Sequence, residues 1–297
     1  MELKVFKKKI RISPMLIILF AVLALYVLSM VGIFFWGIIT SFKNTYVEFK
    51  LYENKTYALP TEWKFDAYIT AFNIISLPGP NGNIGFWQVL WNSILYAIGC
   101  AFFKTLVPCI TAYACARFDT KLSKIVYNII LITMIVPIVG SLPSELKIAY
   151  ALKFTDKIWG LWIMSASMQG LYFFVMYSAF KAMPMGYSEA AKIDGANNLD
   201  VLLRIAMPLI KNLFLTVLLI NFVQFWNNYQ TPKVYLPTHG TLGYAMFYYG
   251  RSSNELKANG VEGVIALALI VAAPVLVLFM IFQERLMGNL TLGGLKG

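Results

Sequence analysis

The chain has 297 residues, 59% of them hydrophobic and only 13% charged, with a formal net charge of +11. Soluble domains carry about 25% charged residues, so the composition excludes an ordinary soluble globular protein and, at this length, allows several membrane spans. The positive balance would suggest nucleic acid in a soluble protein. Here the basic residues sit mostly at the ends of apolar runs, where they control topology at an anionic membrane, and no nucleic-acid partner is expected.

The N-terminus carries Lys4, Lys7, Lys8, Lys9 and Arg11, and an apolar run follows from Pro14 to about Ile39. The run is too long for a signal-peptide core and no small-residue cleavage site follows it, so it is expected to stay as a first span. A polar stretch from Thr40 to Gly85, with a turn-rich PGPNGNIG patch, forms a first external loop. Five further spans are expected at about 86–116, 122–142, 158–180, 209–229 and 261–283. Each reaches the roughly 20 residues that a helix needs to cross the hydrocarbon core. Helices are the natural spanning form because the backbone must satisfy its own hydrogen bonds there. Six spans place both termini on one side. Lys and Arg are denser in the segments on that side, which makes it the cytoplasmic one.

Cys100, Cys109 and Cys115 lie in one apolar segment. Their odd number and spacing give neither a disulfide framework nor a metal site, and they read as small packing residues. His239 is the single histidine and has no partners for a metal or catalytic site. No phosphate-binding G-x-x-x-x-G-K-[ST] loop is present. If ATP drives this protein, another chain binds the nucleotide.

The segment 189–208, EAAKIDGANNLDVLLRIAMP, lies between two apolar spans. Pro184 suits a first helical turn, and Glu189 sits near the N-terminal end, where a carboxylate complements the helix dipole. Ala190 and Ala191 leave a thin surface for close approach by another protein. Gly195 is placed to end the helix in a left-handed conformation. Asn198 is expected to cap a second helix, whose stripe of Val201, Leu202 and Ile205 ends at Pro208.

This segment resembles the EAA loop of permeases of ABC importers: Glu-Ala-Ala, a glycine six positions after the Glu and a proline nineteen after it. Asp194 and Ala196 fill the E-A-A-x-x-D-G-A slots of the MalG-like, carbohydrate-importing branch. Further resemblances are NSI at 92–94, AYACARF at 112–118, Pro137 and Pro143, Asp156 with WGL at 159–161, FWNNYQTP at 225–232, and the tail NLTLGGLKG at 289–297. Thr155 and Asp156 stand in reverse order to the family pattern, and Asn228 replaces its usual acid. The resemblance implies an all-α polytopic membrane protein, the type I importer permease, with six transmembrane helices in one domain over 1–297 and a cytoplasmic coupling helix at about 184–208. It makes Glu189 an ion-pairing anchor for an ATPase subunit, Ala190 and Ala191 a contact surface, and Gly195 a hinge. Asp194 and Pro208 complete that docking set.

It also implies partners: a second homologous permease (a homodimer being the alternative), two ATP-binding subunits and an extracytoplasmic solute-binding protein. The chain itself would bind no cofactor and catalyse no covalent chemistry; ATP and Mg would sit on the ATPase subunits. The loop from about 232 to 260 would reach the solute-binding protein, or be a plain connection, and the tail would touch the ATPase dimer. The setting is a bacterial cytoplasmic membrane, with its lipid as solvent.

A sugar needs amides for its hydroxyls and aromatic rings for its apolar faces. The in-span candidates are Asn92 with Ser93, Gln169, Tyr172, Asn221, Gln224, Trp226, Asn227 and Asn228. Asn221, Gln224 and Asn228 follow at three and four residues and share a helix face. Such amides also serve as glue between membrane helices. Lys104 is the one charge deep in a span; it snorkels or pairs structurally, or it acts directly in transport.

The spans lack the acidic or histidine residues of a proton-coupled carrier and the nucleophile or metal cluster of a membrane enzyme. A channel has no use for an ATPase-docking loop. The expected function is translocation of an oligosaccharide or related sugar by ATP-driven alternating access, the alternatives being a permease for a non-sugar solute and, more remotely, a channel or secondary carrier.

Overall fold

The computed structural model describes residues 14–43, 58–136, 140–168, 170–251 and 253–290, with backbone alone at 74, 251, 253–261 and 284–290. Gln169, Pro137 and the tail from 291 lie outside the described residues. The chain folds as α1 (Pro14–Ser41), α2 (Asp66–Ile74), a hairpin of β1 (Leu77–Gly79) and β2 (Gly82–Ile84), then α3 (Phe86–Arg117), α4 (Lys121–Ile135), α5 (Leu142–Ala151), α6 (Ile158–Ser165) and α7 (Leu171–Ala182). There follow α8 (Gly186–Ile193), α9 (Asn198–Asp200), a π-helical stretch (Val201–Ala206), α10 (Met207–Leu209), α11 (Lys211–Asn227), α12 (Gln230–Tyr235), α13 (Leu242–Arg251) and α14 (Ser253–Leu290).

Among the described residues, three helical stretches are individually long and apolar enough to cross a membrane: Pro14–Ser41, Phe86–Arg117 and Glu262–Gln283. A fourth results if Asn198–Leu209 and Lys211–Asn227, bent by 78°, count as one broken span. The other apolar runs are interrupted. The run at 122–142 is not one helix: α4 stops at Ile135, and Val136 is extended at φ −80 and ψ 113. Val136 precedes Pro137, and the residue before a proline is pushed out of the helical region. The run at 158–180 is two helices, because Ala166 leaves the helical region and Gly170 stands at φ 132, a conformation that side chains disfavour. The run at 209–229 yields α11, which ends at Asn227 with Asn228 extended.

α3 is the central post, with α6, α7 and α11 packed along it. Its buried residues include Ala97, Cys100, Ala101, Thr105, Cys109 and Ala112, small side chains at helical spacing that let neighbouring backbones approach. Cys100 and Cys109 are buried free thiols. Gly99 is the tightest point: a Cβ there would overlap the Trp162 indole of α6, whose Nε1 donates to the Leu95 carbonyl at 3.0 Å.

Around this post the core forms three clusters. One joins Cys109, Tyr113, Phe173, Met176, Phe180, Leu202, Ala206 and Ile210 at the end that carries the 183–208 loop. A second joins Ala71, Leu77, Phe86, Val89, Trp226, Leu242, Tyr249 and Leu267 at the opposite end. A third, with Tyr96, Ala149, Leu161 and Leu236, fills the gap between α3, α5 and α6. The PGPNGNIG patch makes the hairpin, Gly79 pairing with Gly82 across a two-residue turn. α1 is exposed along most of its length, an apolar rod whose described contacts are chiefly with α14.

Candidate functional site

The segment expected to dock a partner is built from two short helices and a turn. α8 has Glu189 in its first turn, Lys192 in its last and no buried residue. It ends in a Schellman turn: the Ala196 N–H donates to the Ala191 carbonyl at 2.9 Å, and the Gly195 N–H to the Lys192 carbonyl at 3.1 Å. Gly195 stands at φ 86, the left-handed conformation that this turn needs. Ala190, Asp194 and Gly195 are exposed and Ala191 is half-buried. Ile193, at 85% exposure, is an apolar side chain on a polar loop.

The next helix is capped one residue earlier than the sequence suggested. Asn197, not Asn198, is the cap: its Oδ1 accepts from the Leu199 and Asp200 N–H groups, both at 2.9 Å. An extended φ/ψ at Asn197 aims the side chain at those donors, while Asn198 is already helical. Val201 and Leu202 are buried and root this second helix in the neighbouring core cluster, whereas Ile205 is only half-buried. Pro208 lies in α10 just before the 78° bend at Ile210. α8 therefore stands on a fixed base and offers its surface outward.

Beside it, the end of α3, the start of α4 and the end of α7 enclose a cavity of about 520 Å³ lined by Arg117, Asp119, Ser123, Lys124, Tyr127 and Lys181, among others. Thr120 and Ser123 cap α4 reciprocally. Lys124 pairs with Asp119 at 2.7 Å and holds that carboxyl below its ordinary value by a hydrogen bond and by its charge.

The amide and aromatic candidates separate into distinct environments. Asn221 is buried and donates to Thr105 Oγ1 at 2.9 Å, tying α11 to α3. Trp226 is buried, its Nε1 donating to the Val271 carbonyl of α14 at 2.9 Å. Asn92 donates to the Gly240 carbonyl at 3.3 Å, and Ser93 Oγ accepts from the Leu242 N–H at 2.7 Å. Asn228 brackets the start of α12, accepting from Thr231 N and donating to Thr231 Oγ1. Gln224 and Asn227 are exposed, and Tyr172 is half-buried. Asn221, Gln224 and Asn228 thus do not present one open amide face: the first is spent inside the fold and the last at a helix junction.

A second cavity, of about 660 Å³, opens where α5, α6, α11, α12 and α13 meet. Its walls combine Phe225, Tyr229, Tyr235 and Phe247 with Gln230, Thr231, Lys233, Ser165 and Glu145. Tyr229 and Phe247 stack at 4.2 Å, and Lys233 Nζ lies 4.8 Å from the Phe247 ring centre. Most of these residues fall just past the amides singled out in the sequence; the signal was the segment YQTPKVY after Asn228, polar side chains between two tyrosines. Lys104 donates to Ser167 Oγ at 2.6 Å, across to the break between α6 and α7.

Asp156 is fixed at φ 58. Burial raises its pKa, but bonds from Thr238 and His239 outweigh that and leave the carboxyl below its ordinary value. Among the described residues, no group of three or more His, Cys, Asp or Glu side chains could hold a metal ion.

Residues 104–287 match the family described as binding-protein-dependent transport system inner membrane component. The chain belongs to this family. Within it, the chain is 32% identical to the melibiose/raffinose/stachyose import permease protein MelC of Bacillus subtilis over 194 residues, covering 63% of this chain and 68% of MelC. It is 24% identical to the diacetylchitobiose uptake system permease protein NgcG of Streptomyces coelicolor over 282 residues, covering 92% and 86% of the two chains. Its fold is similar to a chain of a bacterial ABC transporter involved in the import of the acidic polysaccharide alginate, with a TM-score of 0.73 at 22% identity, covering 90% of this chain and 95% of that one. As a member of the family with long apolar helices, the chain is a multi-pass membrane component of a transport system.

Proposed function

We propose that this permease is one transmembrane subunit of an ATP-driven importer that carries an oligosaccharide or related glycoside across the cytoplasmic membrane by alternating access. It crosses the membrane six times, with both termini and the 183–208 loop in the cytoplasm. A second permease completes the pathway, two ATPase subunits bind ATP and Mg, and an extracytoplasmic binding protein delivers the sugar. The observation that carries this reading is α8: an exposed helix with Glu189 in its first turn, closed by a Schellman turn at Gly195. Such a helix offers a carboxylate and a thin alanine surface to a cleft in another protein. Glu189 is the anchor, Ala190 and Ala191 the contact surface, and Asp194, Gly195 and Pro208 shape the turn and the bend behind it.

Supporting the sugar assignment, the relatives described above include saccharide import permeases. The cavity at the end opposite α8 has the stacked rings and hydrogen-bonding groups that a sugar needs, since ring faces take apolar sugar faces. Gln224, Asn227 and Tyr172 keep polar groups available along the pathway, whereas Asn92, Asn221, Trp226 and Asn228 hold its walls in place. Gln169 belongs to the same set by sequence.

The test is a pull-down from detergent-solubilised membranes, wild type against Glu189→Ala combined with Gly195→Asp, with ATPase activity read in the eluate. Wild type is expected to recover a second permease and an active ATPase that the variant loses. An ATPase kept by the variant at full activity would sink the docking assignment.

A further inference from the structure

The cavity of about 520 Å³ beside α8 holds features that coupling does not require. Arg117, the last residue of α3, has its Nε and Nη2 atoms buried without a hydrogen-bond partner among the described residues. Its Nη1 points to Met185 Sδ at 2.8 Å, directly before α8. Buried donors left unpaired cost free energy, more so when they are charged. Both atoms are covered in this rotamer; a turn of the side chain into the cavity that it lines would present a guanidinium fork, which matches the oxygens of a phosphate.

The other walls favour the same ligand. Lys124 and Lys181 add two cations, and Asp119 is the one carboxylate in the lining, already engaged by Lys124. Lys181 donates to the Tyr177 hydroxyl at 3.2 Å and stays exposed at the rim. Asn128 supplies a neutral donor, whereas the Ser123 hydroxyl already donates to the Phe118 carbonyl. Tyr127 and Tyr177 are amphipathic rings of the kind that gather at the membrane–water boundary. The cavity lies between three apolar helices at the point where α3 leaves its apolar stretch. Basic pockets in that position on the cytoplasmic side bind anionic lipid headgroups.

We propose that Arg117, Lys124 and Lys181 form a phosphate-binding site occupied by the headgroup of an anionic phospholipid. The bound phosphate satisfies the buried guanidinium and clasps the ends of α3, α4 and α7 beside the root of α8. The lipid therefore braces the base from which α8 projects. The source of the phosphate rests on the orientation proposed above; the phosphate chemistry does not.

The experiment is native mass spectrometry and thermal unfolding of the purified permease with its co-purifying subunits, with phosphatidylglycerol, phosphatidylcholine or inorganic phosphate added. Wild type is expected to retain phosphatidylglycerol through desolvation and to unfold at a higher temperature with it than with phosphatidylcholine. Arg117→Gln with Lys181→Gln should weaken that binding roughly tenfold or more, two cations being removed. Asp119→Asn, which leaves the basic groups intact and frees Lys124, should tighten it, so the site remains testable if the double variant folds poorly. Stabilisation of wild type by inorganic phosphate alone, lost in the double variant and with no preference for phosphatidylglycerol, would overturn the lipid assignment in favour of a free phosphate. Equal lipid retention by all three proteins, with no response to inorganic phosphate, would overturn the site itself. Binding is read without a transport step, so either result stands apart from the import reading.

Discussion

Asp156 and Thr238, 82 residues apart, are joined twice: the Thr238 hydroxyl donates to Oδ2 at 2.6 Å and the Thr238 N–H to Oδ1 at 2.9 Å. Asp156 returns a bond through its own N–H, which donates to the Tyr235 carbonyl at 2.7 Å. The α5–α6 turn is thereby fastened to the chain that leaves α12. His239 closes the group, with Nδ1 3.2 Å from Asp156 Oδ1.

This clasp makes stability depend on pH. The folded-state pKa of Asp156 is lowered, so its contribution is present above the unfolded carboxylate value and is lost as pH falls through the folded value. Asp156→Asn should lower the unfolding temperature at pH 7. The deficit should shrink below about pH 4, where the wild-type carboxyl protonates as well. Hydrogen bonds to a charged group contribute about 1.5–3 kcal/mol, and partial exposure places this pair at or below the lower end. A deficit that stays constant from pH 7 to pH 3 would refute the ionic clasp.

Gly195 is the conformational stop of α8. A side chain at φ 86 costs about 1–2 kcal/mol, although a Cβ there meets no other atom within 4 Å. Gly195→Ala should therefore leave the membrane portion intact, with an unchanged unfolding temperature in detergent, and reduce ATPase recruitment. Gly195→Asn should be milder, because asparagine tolerates the left-handed region. Equal recruitment by wild type and both variants would show that the turn does not matter for docking.

Gly99 and Trp162 test the packing of α6 on α3. Gly99→Ala forces a methyl group into the indole, and overpacking costs typically about 1–3 kcal/mol. The variant should unfold earlier, and Trp162→Leu in the same chain should recover part of the loss by making room. Failure of Gly99→Ala to change the unfolding temperature would mean that α6 shifts freely.

Asn221 and Thr105 test whether the α11 amide is structural. Such pairs between membrane helices contribute about 0.6 kcal/mol on average. A double-mutant cycle with Asn221→Leu and Thr105→Val should give a coupling of that order in unfolding, with sugar uptake altered only through stability. A change in sugar preference at unchanged stability would return Asn221 to the pathway.

The long apolar helices and the polar loop with its glycine stop were legible because composition and backbone chemistry act locally. Gly195 lies in a turn that only a residue tolerant of positive φ fits, and the sequence says so at one position. The interruption at Ala166–Gly170 was hidden because the run at 158–180 looks continuous by hydropathy, and hydropathy is blind to a backbone break stabilised from a neighbour. Lys104 supplies part of that support by reaching Ser167, a contact between residues 63 apart in sequence. The fate of the amides was equally non-local. Asn221 and Gln224 are three residues apart, yet one meets Thr105 and the other is exposed. Helical spacing places both near one face without saying which edge of it the next helix covers.

The bend at Ile210 has a mechanical consequence. The first arm ends with the Ile210 N–H on the Ala206 carbonyl at 3.2 Å, and the second begins with the Phe214 N–H on the Ile210 carbonyl at 2.9 Å, so two helical arms meet at a single non-helical residue. At 1.5 Å per residue α11 is about 26 Å long, and the arm from Asn198 to Leu209, shortened by its π-helical stretch, is below about 18 Å. If the two arms turn together about Ile210, the far end of α11 moves at least about 1.4 times as far as the tip beside α8. A small displacement near α8 would thus arrive enlarged at Asn227, next to the ring-lined cavity at the other end of the molecule.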